Sequence, residues 1–432
     1  MVSAVQRLVQ DMRQRDLRLA NPELLGADFR QLRTFNRILV LSCIRQQSVA
    51  RVEIARQTGL SRTTVSSIMD ELLQEGLAQE GAVLSAAPTG GRRATLVRFN
   101  ADAGICLGVD IGRTHLTMVA ANLSGTILAH QAGPFEMDLG PQICLPEVVQ
   151  RLKHFLAHHH LSWAEVIGVG VGLPGTIDVA THVLVHPPHL PGWDGINVRQ
   201  ALIEALDLPI YIDNDANMGA LGESRYGAGR KIAHFAYIKV ATGIGSGLIV
   251  NNRVYRGSSG FAGELGHISF GESGPACDCG NMGCLESVAG AEAIVSDAQR
   301  RPSTKGAIEP RRHLDIANVI QAAQEGDVAS QRAIGRAAVR IGTAIAALIN
   351  LLNPEAIILD GGVARAGDML LEPLTKTVAS RSIAAAWSRT RLLKGELEQL
   401  AIATGAVATV IDAAFTLPSL AMEQPSIAQG AL

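Results

Sequence analysis

Three apolar runs in this chain break at glycine-bearing turns in the same manner, and that recurrence constrains the fold more than any other feature. The turns are Asp110-Ile111-Gly112-Arg113-Thr114, Thr242-Gly243-Ile244-Gly245 and Leu359-Asp360-Gly361-Gly362. One strand-ending glycine is ordinary punctuation. Three in order, about 120 to 130 residues apart, predict an α/β body whose two lobes share a cleft of the nucleotide-binding kind. In the first, Ile105 to Val109 and Leu116 to Ala121 read as strands joined by a tight turn, where backbone N–H groups and the Thr114 hydroxyl can hold phosphate. Composition agrees: 47% hydrophobic residues, 44 glycines and only 4% aromatics suit a glycine-turned aliphatic core.

Between the first two turns lies Tyr211-Ile212-Asp213-Asn214-Asp215-Ala216-Asn217. A strand ending in paired acids projects carboxylates into a crevice at its carboxyl end, where α/β proteins place ligands. In a kinase Asp215 would take the proton from a substrate hydroxyl; in a receptor it would accept hydrogen bonds from sugar hydroxyls. A helix cap accounts for one of these acids, but not easily for both acids and Asn214.

Further along, Ala262-Gly263-Glu264-Leu265-Gly266-His267 precedes Cys277-Asp278-Cys279-Gly280-Asn281-Met282-Gly283-Cys284-Leu285-Glu286. Half of the six cysteines fall within eight residues, ten after a histidine. One imidazole and three thiolates meet the four-coordinate demand of structural zinc, with glycines to fold the backbone round the ion, although the spacing CxCxxxxC departs from the usual CxxC. Reduced, unligated thiols are the alternative. A metal here would fix the loop that presents Glu264 and Glu286 without touching a substrate. Cys43, Cys106 and Cys144 sit among apolar neighbours and read as core residues, and the run His158, His159, His160 as a solvated helix end.

The first hundred residues differ in charge. They hold fourteen arginines and no lysine against nine acids, a local net charge of +5 within a chain whose total is −2. A helix from Phe35 with Ile38, Leu39, Leu41 and Ile44 on one face is followed by a second over about Arg51 to Gln57, with Val52, Ile54 and Ala55 inward. Ala50 stands where a capping serine is expected, so Ser48 is the substitute cap. A third helix starts at Ser61, a good N-cap, and buries Val65, Ile68, Leu72 and Leu73. Its other face carries Ser61, Arg62, Thr63, Thr64, Ser66 and Ser67, short hydroxyls and one arginine that can approach phosphates and base edges in a major groove. Strands at Leu77 to Gln79 and Thr95 to Phe99 flank a wing tip holding Arg92 and Arg93, suited to backbone or minor-groove contact. The pattern predicts a winged helix-turn-helix on double-stranded DNA; a protein-binding three-helix module with a solvated arginine face is the competing reading.

At 432 residues, two or three domains are expected. The polar, arginine-containing N-terminus has no signal-peptide run, and no stretch reaches the roughly 18 uninterrupted apolar residues of a membrane span. Ile341 to Leu352 reads as a buried helix before a strand at Ala356 to Leu359. The expectation is a cytoplasmic protein with reduced thiols and no membrane partner.

Taken together, the glycine of the second turn, Gly257, Gly266-His267 and the cysteine cluster behind them resemble the ROK family of repressors and sugar kinases, and the likeness runs over nearly the whole chain. The resemblance implies an actin-like, two-lobed ATPase fold behind a winged helix-turn-helix. It divides the chain into a DNA-binding part at 1–100, a first lobe at 101–213 completed by a helix at about 400–416, a second lobe at 214–399 and a tail at 417–432. It implies sugar contacts from Asn214, Asp215, Glu264, His267 and Glu286, helped by the Gly172-Leu173-Pro174-Gly175 turn. Structural zinc on His267, Cys277, Cys279 and Cys284 is likewise implied, with the imidazole serving metal and sugar through its two nitrogens.

The nucleotide side departs from the family. Kinases of this family have glycine at the positions of Arg113 and Asp360. A side chain at Arg113 obstructs backbone approach to phosphate, and the Asp360 carboxylate repels it. Gly112, Arg113, Thr114, Thr242, Gly243, Gly245, Asp360 and Gly361 therefore form a degenerate nucleotide site, and ATP is not expected as a cofactor. Read the other way, the Arg113 guanidinium would grip the phosphate of a sugar phosphate. His189, near Pro191-Gly192-Trp193, stands where the family often has an asparagine near the sugar. The expected protein is a sugar-responsive, homodimeric or homotetrameric repressor acting on carbohydrate-metabolism genes, with no catalytic residue in use. An ATP-dependent sugar kinase with Asp215 as base is the alternative.

Overall fold

A computed structural model describes residues 7–10, 12–13, 29–83, 94–178, 181–185, 190–271, 274–300 and 315–415. Arg92, Arg93, His189 and the tail at 417–432 lie outside them.

The N-terminal module begins with the helix Phe29–Gln46, which starts ahead of the expected Phe35. Ile38, Leu41 and Ile44 are buried as the periodicity requires, while Leu39 is half-buried. The strand β1 (Val49–Ala50) leads into the helix Arg51–Thr58, closed by Gly59 in the left-handed region at φ 73°. Two expectations fail in this helix. Its N-cap is Ala50 with no side-chain hydrogen bond, so Ser48 does not cap it. Val52 is 53% exposed, because only Ile54 reaches the core of so short a helix. The third helix, Arg62–Gln74, is capped as expected by Ser61, whose Oγ accepts from the Thr64 amide at 3.0 Å; Met69 joins Val65, Ile68 and Leu72 in its buried stripe, and Leu73 is half-buried. The strands β2 (Ala78–Val83) and β3 (Thr95–Phe99) complete a three-stranded sheet in the order β1-β3-β2.

The first lobe is built on β4 (Ile105–Ile111), β5 (His115–Asn122), β6 (Ile127–Pro134) and β7 (Val166–Leu173), with a two-stranded ribbon of β8 (Thr176–Ile177) and β9 (Leu184–Val185). With β10 (Ile210–Asn214) they form a sheet in the order β10-β7-β4-β5-β6, parallel across β10, β7 and β4. Every residue of β4 and β7 is buried, as expected for strands covered on both faces. One face carries the helices Pro141–His158 and Val198–Leu206. The other carries the C-terminal helix Ala401–Phe415. Cys106 and Cys144 are buried here.

The second lobe holds β11 (Phe235–Val240), β12 (Ile244–Val250), β13 (Arg253–Val254), β14 (Ala356–Asp360) and β15 (Arg391–Lys394), in the order β13-β12-β11-β14-β15. Its core is packed by the helix Val328–Leu352, which starts well before Ile341 and ends at Asn353 in the left-handed region, φ 46°. This helix and the stretch Glu398–Phe415 are long and apolar enough to cross a membrane by length and composition, but more than half of each window is buried inside the protein.

Two helices tie these parts together. The helix Asp215–Tyr226 starts at the end of β10 and packs on both the C-terminal helix and β12, so it belongs to both lobes rather than to the second alone. It lies against the C-terminal helix backbone to backbone: a methyl group on Gly405 would strike the Met218 carbonyl, and one on Gly222 the Ala401 carbonyl. The C-terminal helix in turn shares one apolar cluster with the N-terminal module, which holds Val407, Val410 and Phe415 as well as Val40, Leu72 and Val97. At its end the Arg45 guanidinium lies 4.4 Å from the Phe415 ring centroid and 5.6 Å from that of Phe99. Leu8 and Met12 enter the same cluster, while Arg7 pairs with Glu75 of the module and Arg13 with Asp207 of the first lobe.

Candidate functional site

Between the lobes opens a cavity of about 610 Å³. The strand β10 ends at Asn214 because that residue turns to cap the next helix: its Oδ1 accepts from the amides of Ala216 (2.8 Å) and Asn217 (3.3 Å). Its Nδ2 donates to the Gly175 carbonyl at 3.0 Å, tying the cap to the Pro174-Gly175 turn. The cap is thus the asparagine, with Asp215 Oδ1 sharing the Ala216 amide at 2.7 Å. Asp213 is turned to the Arg256 guanidinium (2.6 and 2.8 Å) and the Asn217 amide. Asp215 faces the cavity.

On the opposite wall, Glu286 accepts from the Ile244 amide at 3.0 Å through Oε2. The same oxygen lies against Gly243, so a Cβ there would push the Glu286 carboxylate off its place on the Ile244 amide. Glu264 accepts from the Thr176 hydroxyl at 3.3 Å and has Oε2 3.8 Å from His267 Nε2. Burial pushes the Glu264 carboxyl above its ordinary range. Asn214, Asp215, Glu264, His267 and Glu286 all line this one cavity.

The ligand atoms of His267, Cys277, Cys279 and Cys284 lie within 4.8 Å of one another. Cys277 Sγ is 3.6 Å from His267 Nδ1, and Cys279 Sγ is 3.6 Å from Cys284 Sγ. Such separations suit four donors around one ion with metal–sulfur bonds of about 2.3 Å, so the quartet can hold a metal. Gly280 at φ 91° and Gly283 at φ 65° make the turns that bring the thiols inward. With Nδ1 among the thiols and Nε2 toward Glu264, the imidazole spans the thiol cluster and the cavity. The run His158 to His160 lies at a helix end and belongs to no metal-type cluster among the described residues.

On the expected nucleotide side, Gly112, Arg113, Thr114, Thr242, Gly243 and Gly245 line the cavity, whereas Asp360 and Gly361 do not. The Asp360 carboxylate turns away to the Tyr237 hydroxyl (2.8 Å) and the Gly361 amide (2.6 Å), and burial raises its pKa. Arg113 is already engaged, with Asp138 at 3.2 Å and Glu292 at 3.3 Å; the hydrogen bond to Asp138 raises its pKa further. Gly112 lies against the His115 ring, whose Nε2 is 3.0 Å from Asp110 Oδ2.

The sequence reading missed Lys239. It lines the cavity from β11 and places Nζ 2.8 Å from Asp215 Oδ2. A lysine in a strand normally signals an outward position; the clue available was its place three residues ahead of Thr242-Gly243.

On the N-terminal module, Arg62, Thr63 and Ser67 are exposed on one helix face, with Thr64 and Ser66 half-buried. The Ser61 hydroxyl is shared between its capping bond and the hydroxyls of Thr63 and Thr64, both at 2.8 Å. Arg7, Arg33, Arg37, Arg51 and Arg56 are paired with carboxylates, whereas Arg62 makes no ion pair among the described residues.

Residues 106–413 match the ROK family profile. The chain is 30% identical over 398 residues to the xylose repressor of Caldicellulosiruptor bescii, covering 90% of this chain and 98% of that protein. It is 36% identical over 275 residues to the glucokinase of Halalkalibacterium halodurans, covering 62% of this chain and 83% of the kinase. Among solved structures, that of a ROK family transcriptional regulator described as a homologue of the E. coli MLC protein superposes with a TM-score of 0.75 at 24% identity, over 89% of this chain and 98% of that one. The chain belongs to the ROK family.

Proposed function

We propose that this protein is a sugar-responsive transcriptional repressor, in which a winged helix-turn-helix binds operator DNA and a kinase-like cleft binds the effector. The observation that carries the reading is the extent of likeness: the repressor match spans 90% of the chain and the glucokinase match 62%. A body alone suffices for a kinase, while a repressor needs the module in front. Arg62, Thr63, Thr64, Ser66 and Ser67 face the major groove on the recognition helix, and Arg92 and Arg93 serve the wing. A homodimer or homotetramer would place two such modules on an inverted repeat in the cytoplasm.

In the cleft, Asp215, Glu264 and Glu286 accept hydroxyl hydrogen bonds of the sugar, and His267 donates from Nε2. Asn214 holds the turn at Gly175 and offers its remaining amide hydrogen. Zinc is the ion we assign to the quartet; its role is to fix the loop and the ring, with no part in chemistry. ATP has no place, because Arg113 fills the first turn and is paired across the cleft with Glu292.

The signal has a physical route. Sugar contacts at Asp215 act on the first turn of the helix Asp215–Tyr226; that helix is locked onto the C-terminal helix at Gly222 and Gly405, and Phe415 holds Arg45 of the module. Closing the cleft on a sugar therefore moves the module and weakens operator binding. Electrophoretic shifts on the operator, with D-xylose or D-glucose titrated in, test the reading: a complex that dissolves with one sugar is expected. No sequence-specific complex at physiological salt would overturn it, as would sugar-dependent ADP release with ATP present.

A further inference from the structure

Lys239 lies in β11 opposite Gly245 of β12 and Asp360 of β14, at the point where the sugar side of the cavity meets the degenerate nucleotide side. Its ammonium is 2.8 Å from Asp215 Oδ2, and both side chains are largely buried, with 15% and 13% of each exposed. The other oxygen of Asp215 accepts from the Ala216 amide at 2.7 Å. Burial alone would lower the lysine's pKa, but Asp215 and, behind it, Asp110 outweigh burial and hold it charged. An ammonium has three donors, and Asp215 takes one. The carboxylate keeps acceptor capacity on each oxygen.

We propose that Lys239 contacts the effector directly and forms with Asp215 a donor–acceptor pair that reads a single hydroxyl of a neutral sugar. The hydroxyl donates a hydrogen bond to Asp215, and Lys239 donates one to the hydroxyl oxygen. This arrangement binds and does not react. A phosphoryl acceptor must give its proton to the carboxylate as its oxygen attacks phosphorus; the ion pair with Lys239 makes Asp215 a weaker base, and the donated hydrogen bond makes the hydroxyl oxygen a weaker nucleophile. The charge of the cavity selects against an anionic ligand. Asp215, Glu264, Glu286 and Glu292 line it against two cations, Lys239 and Arg113, each of which is already paired with a carboxylate. A phosphorylated sugar would find no free counter-charge, so the Arg113 grip on a phosphate is not the role the geometry gives it.

The inference rests on the reading of the cleft as an effector site, and the test separates the two. Full-length protein is titrated calorimetrically with D-xylose, D-glucose, glucose 6-phosphate and the mono-deoxy forms of the sugar that binds. Wild type is expected to bind a neutral sugar and to lose about 10- to 100-fold in affinity when the paired hydroxyl is missing, the range for hydrogen bonds to charged groups. In Lys239→Met the parent sugar weakens by a similar factor, the penalty at that deoxy position shrinks, and the penalties at other positions stay. Lys239→Gln, which keeps a donor without the charge, gives an intermediate loss and serves if the methionine variant does not fold. Equal penalties at every position in wild type and variant would mean a merely structural lysine and overturn the inference. Tight binding of glucose 6-phosphate in place of neutral sugar would overturn it while leaving the repressor reading intact. Absence of any sugar effect on operator binding would overturn both.

Discussion

Replacing Phe415 with leucine probes the joint between the cleft and the N-terminal module. Phe415 is 3% exposed, meets the Phe99 ring edge-on with centroids 5.5 Å apart, and lies 4.4 Å beneath the Arg45 guanidinium. Leucine keeps most of the apolar burial and removes the ring. An edge-to-face pair contributes roughly 0.5–1.5 kcal/mol beyond burial. The cation–π contact adds about 0.5–1 kcal/mol, the lower end of its range, because Arg45 is an exposed residue. The joint should thus lose about 1–2.5 kcal/mol, roughly 5- to 70-fold as an equilibrium factor. Couplings between sites are typically about 1–3 kcal/mol, so loosening this joint removes most of what cleft closure transmits. The assay is fluorescence anisotropy on labelled operator with and without saturating sugar, together with calorimetric sugar binding. The expected result is an unchanged sugar affinity in the absence of DNA and a sugar effect on operator affinity reduced at least about fivefold. A folded variant whose sugar effect stays within about twofold of wild type would refute the helix route.

Other outcomes follow from individual contacts. Protein purified without added metal should carry about one zinc per chain, and Cys279→Ala should lose it together with several degrees of melting temperature; wild type free of metal on elemental analysis would contradict the assignment. Arg62→Ala should weaken operator binding and reduce the salt slope of log K by about one; an unchanged slope would remove Arg62 from the interface. Asp215→Asn should weaken the effector sugar about 10- to 100-fold by calorimetry, and a full-affinity variant would exclude the carboxylate as a contact.

What the sequence made legible was what is local in the chain. The histidine–cysteine quartet lies within eighteen residues, His267 to Cys284, so spacing alone limits its geometry. The first turn and its two strands are a hairpin, read from adjacent residues. The third helix carried its own start signal in Ser61. Contacts between distant residues were not readable. Lys239 sits in a strand whose alternation gives no sign that its ammonium turns inward to Asp215. Asp360, expected to face a phosphate, turns instead to Tyr237, 123 residues away. The Arg45 and Phe415 contact spans nearly the whole chain, and Val52 looked buried only because helical period ignores how few residues a short helix can press into a core.

If one chain couples a sugar site to an operator site, the coupling must be reciprocal. Operator affinity is measured with and without saturating effector sugar, and sugar affinity with and without saturating operator, at one salt concentration. Both affinities are expected to fall, and by the same factor, as linkage demands. A sugar that binds with equal affinity to the free and the operator-bound protein would contradict it.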